Sequence, residues 1–122
     1  ESNAGWLPFF LNRLEKTTEG RQATVFKEEP LGASARDYFL RQCSIAADAD
    51  EPTIHHVVEY LGNDNIVFNT DYPHFDAPPP DAPLRDIMTQ PLSDESKEKI
   101  LWDNSVKIYG ERLVKDHPLS ST

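Results

Sequence analysis

The chain is 122 residues long and carries 21 acidic against 12 basic side chains, a formal net charge of -9. No basic run is present to displace counterions from a phosphate backbone, so nucleic acid is excluded as a partner, and so is an anionic membrane surface. No apolar stretch has the length of a membrane-crossing helix, no basic-then-apolar leader opens the chain, and a single cysteine, Cys43, gives no disulfide framework. The expectation is one α/β unit of a reducing, cytoplasmic compartment, with Cys43 acting as a small buried hydrophobe.

Glu1 to Gly5 reads as a loop arriving from something upstream, so the chain looks cut rather than started. Trp6 to Lys16 follows with apolar residues near helical spacing and Pro8 in the first turn, which predicts a helix. Residues 17–33 are polar and turn-rich and read as a connection. Ser34 is placed to cap a short helical turn through Asp37. Tyr38 to Ile45 alternates enough to be expected as a strand. Pro52 opens a helix over Thr53 to Leu61, whose face is Ile54, Val57, Val58 and Leu61, and Gly62-Asn63 ends it as a left-handed cap. Ile66-Val67-Phe68, a β-branched and aromatic run between polar turns, reads as a fully buried strand. Strand, helix and strand in that order predict a βαβ unit with parallel pairing. Pro83 to Gln90 is expected as a short helix. Ser93 then caps a last helix that is interrupted near Asp103-Asn104 and stopped by Gly110, and residues 111–122 read as a poorly ordered tail.

Chemical capacity concentrates behind Ile66-Val67-Phe68. Thr70, Asp71, His74 and Asp76 follow within seven residues, and Pro78-Pro79-Pro80 hold the chain extended beyond them. In parallel α/β sheets the carboxyl end of a buried strand is where ligands bind. A carboxylate there suits a metal ligand or a general base, and the plainer alternative for Asp71 is a turn-forming aspartate. His74 and Asp76 fit a supporting layer or a substrate contact. His55 and His56, adjacent on a helix, point about 100° apart and do not converge on one ion. Arg13 and Arg41 present planar forks for a substrate carboxylate or for surface acids. No phosphate-binding glycine loop, nucleophile elbow or Cys-x-x-Cys pair occurs.

Four segments recur in order in one known family: Glu1 to Pro8, Tyr38 to Gln42, Asp64-Asn65-Ile66 running into Thr70-Asp71-Tyr72-Pro73-His74, and Asp103 to Tyr109. Together they resemble the C-terminal part of amidohydrolase-related proteins of the aminocarboxymuconate-semialdehyde decarboxylase type. The resemblance implies about strands six to eight, with their helices, of a metal-dependent (β/α)₈ TIM barrel, with residues 1–122 as one segment of it. Asn3 and its neighbours would then end the sixth strand. It further implies a divalent metal, zinc or manganese, held by Asp71 as the ligand after the last strand. Arg13, His74 and Tyr72 would bind a small organic acid that is decarboxylated or hydrolysed. The family's histidine ligands have no counterpart in these residues, and a histidine of the decarboxylase branch falls near Glu1, where this sequence departs from it. The expected partner is therefore the N-terminal remainder of the barrel, or a second copy of the chain. The competing expectation is an inactive barrel remnant that works through self-association.

Overall fold

The computed structural model describes residues 3–18, 32–110 and 112–115. Glu1, His117, the rest of 116–122 and most of the expected connection lie outside them. The element order is α1 (Leu7–Thr18), α2 (Ala35–Gln42), β1 (Ile45–Asp48), α3 (Ile54–Leu61), β2 (Ile66–Asn69), α4 (Ala82–Thr89), α5 (Asp94–Glu98), a π-helical turn (Lys99–Asp103), α6 (Asn104–Tyr109) and α7 (Arg112–Lys115).

β1 and β2 pair in parallel, in the register Ile45↔Ile66 to Asp48↔Asn69, with α3 as the crossover. The sequence placed the first strand too early. Tyr38 to Gln42 is helical, because Ser34 and Asp37 form a reciprocal capping box that nucleates α2 and carries it to Gln42. The alternation read there comes from a helix whose Ala35, Phe39 and Leu40 pack against the core while Asp37, Arg41 and Gln42 face solvent. Cys43 caps the end of α2 and is exposed, not buried. Only Ile66 of the second strand is fully buried, and Val67 and Phe68 are half-covered. Among the described residues the sheet is two strands wide, so a side chain on it lacks the further neighbours that a closed barrel supplies.

The core joins Leu7 and Leu11 of α1, Ala47 of β1, Ile54, Val57 and Leu61 of α3, Ile66, Ile87 of α4 and Ile100. α1 and α3 each contribute an apolar stripe at three- and four-residue spacing. α1 is seated by Glu51, a buried carboxylate that accepts from the backbone N–H of Ala4 at 2.9 Å, from that of Gly5, and from Thr53 Oγ1 at 3.0 Å. Gly5 has no room for a side chain, since a Cβ would lie 2.8 Å from Glu51 Oε1. Arg36 closes the far end of α3, donating from Nε to the Tyr60 carbonyl at 3.0 Å. Asn65, also buried, donates to the carbonyls of Leu40 (2.9 Å) and Cys43 (2.7 Å) and so ties the end of α2 to the start of β2.

The irregularity expected at Asp103-Asn104 is a wide turn just before it, and the helix runs on to Tyr109. A four-residue step in an α-helix overshoots a full turn by roughly 40°. The π turn takes up that overshoot, so Ser96, Ile100 and Asn104 all remain buried on one side. Asn104 thereby points its amide at the sheet and donates to the carbonyls of Asn63 and Ile66, both at 2.7 Å. Gly110, at φ 79°, ends α6 as expected, and Arg112–Lys115 add a short helix within the tail. Several large apolar side chains remain exposed, Phe9, Leu84 and Tyr109 among them.

Replacing Asn104 by Leu leaves two carbonyls without their donors, and urea unfolding should show a loss of about 1–3 kcal/mol. The Ser34 hydroxyl and backbone N–H hold the Asp37 carboxyl below its ordinary value, with help from Arg36. Because the folded value is depressed, the capping box stabilises α2 above the ordinary carboxylate range and loses that effect as the pH falls through the folded value. Helicity followed by circular dichroism below about pH 4 should therefore decline less steeply in Asp37→Asn than in the unaltered chain.

Candidate metal centre

A chain of hydrogen bonds runs along the C-terminal edge of the sheet. Asn3 Oδ1 accepts from the backbone N–H of Asp48 at 3.3 Å. Asp48 Oδ1 accepts from Asn69 Nδ2 at 2.8 Å, and Asn69 Oδ1 accepts from the N–H of Asp71 at 3.1 Å. Asp71 Oδ1 in turn lies 2.8 Å from His74 Nδ1. Among the described residues, Asn3 (φ 55°) and Asp71 (φ 57°) adopt the left-handed backbone that residues other than glycine rarely take. Asn and Asp tolerate it best, because their short polar groups bond locally. At Asp71 it turns the chain sharply off β2 and brings the carboxylate back toward His74.

A cleft of about 210 Å³ opens beside this edge, lined by Asp48, Asp50, Asn69, Thr70, Asp71, Asp76 and Asp86, with Ala49, Pro78 and Pro83. Five of those residues are aspartates and none is basic, so the field inside favours a cation. Asp71, His74 and Asp76 each offer one donor atom, and the three donors lie within 4.8 Å of one another. Oxygen, imidazole nitrogen and oxygen is a donor set that first-row divalent ions accept, so these residues fit such an ion.

Of the residues expected to act, Asp71 and His74 are brought together, and Asp76 joins them. Tyr72 lies between them in sequence and is 82% exposed. Arg13 is exposed on α1 and does not line the cleft. Arg41 stacks its guanidinium 4.9 Å over the Tyr38 ring. His56 faces solvent, while His55 is half-covered with its ring centroid 3.9 Å from that of His56. Residues that sequence reasoning missed are Asp48, Asn69, Asp50 and Asp86. Asp48 and Asn69 each sit at the last position of a strand, a place that would have marked them had β1 been located correctly.

A parallel βαβ segment with an acidic cleft beyond its strand ends is the architecture of one portion of a metal-dependent (β/α)₈ barrel. The model of the amidohydrolase family matches residues 18–110, and the chain belongs to that family. Among solved structures it is similar to the 5-carboxyvanillate decarboxylase of Sphingomonas paucimobilis, at 27% identity over 85% of this chain and 30% of that one, with a TM-score of 0.69. It is also similar to a dihydroxybenzoic acid decarboxylase of a Polaromonas species, solved with manganese and 2-nitroresorcinol, at 18% identity, covering 93% of this chain and 33% of that one, with a TM-score of 0.67. That second likeness carries the fold alone. An amidohydrolase-like protein of Staphylococcus aureus aligns at 27% identity over 84% of this chain and 31% of that one, with a TM-score of 0.59. No curated protein matches. The chain thus spans about a third of the length of these neighbours and has the fold of the C-terminal part of their barrels. Among the described residues no helix is long and apolar enough to cross a membrane.

Proposed function

We propose that this chain forms the last part of the active site of a metal-dependent decarboxylase acting on a small organic acid, with Asp71 as its metal ligand. The observation that carries this reading is the position of Asp71. It lies two residues past the end of β2, is turned back by a left-handed backbone, and is held against His74 in a cleft that attracts cations.

In this reading Asp71, with His74 and Asp76 close by, would hold a divalent ion, zinc or manganese, alongside ligands from the remainder of the barrel. When bound, such an ion polarises a substrate oxygen or a water. The residues of this chain do the rest. His74 orients the Asp71 carboxylate through its Nδ1 contact and lines the mouth together with Tyr72. Arg13 presents a guanidinium for a substrate carboxylate, and its place on the outside of α1 suits reaching the cleft of a neighbouring copy. The aspartates repel a substrate carboxylate from the deep side of the cleft and so orient it outward. Decarboxylation is favoured over hydrolysis because the neighbour at 27% identity with the higher TM-score is a decarboxylase. Carboxylated phenols are the first substrates to assay once the rest of the barrel is supplied.

Isothermal titration of the chain with Mn²⁺ and Zn²⁺ tests the metal reading directly. One ion per chain should bind, and Asp71→Ala should abolish binding while leaving the circular dichroism spectrum unchanged. Undiminished affinity in that variant would falsify the assignment, as would the absence of binding by the unaltered chain.

A further inference from the structure

We infer that Asn69 is a positioning residue for Asp71, clamped between the two strands so that its carbonyl oxygen fixes the backbone from which the Asp71 carboxylate projects. The inference rests on the reading of Asp71 as a metal ligand.

The orientation of the Asn69 amide follows from chemistry. Its register partner across the ladder is Asp48, and an ionised carboxylate only accepts hydrogen bonds, so the amide must turn its NH₂ toward Asp48 Oδ1, 2.8 Å away. That leaves Asn69 Oδ1 facing the other way, where it accepts from the Asp71 N–H at 3.1 Å. An Asn oxygen bonded to the N–H two residues on is the turn that Asn and Asp side chains build in place of a backbone turn. Here it spans a residue whose φ of 57° is unfavourable for any side chain and needs such support. Both ends of one amide are therefore used, one to anchor it on the neighbouring strand and one to hold Asp71. Aspartate at position 69 would set two carboxylates against each other. Alanine would leave the Asp71 turn unsupported. Serine keeps an acceptor for the N–H two residues on, though not the bond to Asp48.

Partners that orient a ligand without touching the metal typically change affinity by about 10–100-fold. Titration of the full chain with Mn²⁺ should therefore show Asn69→Ala binding about 10–100-fold more weakly, Asn69→Ser, which keeps the acceptor but not the anchor on Asp48, recovering only part of the affinity, and Asp71→Ala showing no binding. A residue that only stabilised the fold would lower Tm and leave the affinity of the folded protein unchanged. Wild-type affinity in Asn69→Ala, alongside loss in Asp71→Ala, overturns the positioning role and leaves the metal reading standing. Undiminished affinity in Asp71→Ala overturns the metal reading and this inference with it. If Asn69→Ala does not fold, Asn69→Asp decides: it is isosteric and keeps the acceptor, and wild-type affinity there would overturn the clamped geometry.

Discussion

Parallel pairing of β1 with β2 is the constraint from which the candidate site follows. Four residues per strand are enough to fix the register, and the register sets Asp48 opposite Asn69. That one pair is the middle link of the polar chain that runs from Asn3 to His74. A slip by one residue would turn every side chain of the strand to the opposite face and would break the chain at its centre. The acidic cleft and the left-handed turn at Asp71 are consequences of that alignment, not separate features.

A two-stranded ladder is a weak unit by itself. Here it is held by buried groups donated from outside the sheet. Asn65 ties it to α2, Asn104 ties it to the last helix, and Glu51 seats the turn that leads into α1. Each is a buried polar side chain with its hydrogen bonds satisfied, an arrangement that fixes geometry more firmly than apolar contact does. Lys99 adds an outer link, 3.0 Å from both Asp64 and Glu95, where the two carboxylates raise its affinity for a proton. Such a partly exposed pair contributes little to stability. It does mark where the last helix crosses the turn before β2.

Large apolar side chains are exposed on two of the helices. Phe9 and Phe10 lie on the outer side of α1, with Trp6 just before it, and Leu84 and Met88 lie on α4. Barrel helices pack against the neighbouring helices on either side as well as on the sheet, so a third of the fold presents such faces. At the sheet edge, Asp71, His74 and Asp76 bring two carboxylates and one imidazole within 4.8 Å of one another.

Several features were determined by the sequence alone. The apolar stripes of α1 and α3, the Ser93 cap, the glycine stops and the strand at Ile66 are local patterns whose signal lies within a few residues. The concentration of Asp71, His74 and Asp76 behind that strand was equally plain, because it needed no partner from elsewhere in the chain. Only the tertiary structure decided the position of β1. Ile45-Ala46-Ala47-Asp48 has little strand character of its own and becomes a strand because Ile66 to Asn69 offers it a ladder. The same holds for Asn69, Asn104 and Glu51, whose roles depend on groups 21 to 47 residues away in the chain. Hydrogen bonds at that separation leave no periodicity in the sequence, and only folding brings the two ends of each together.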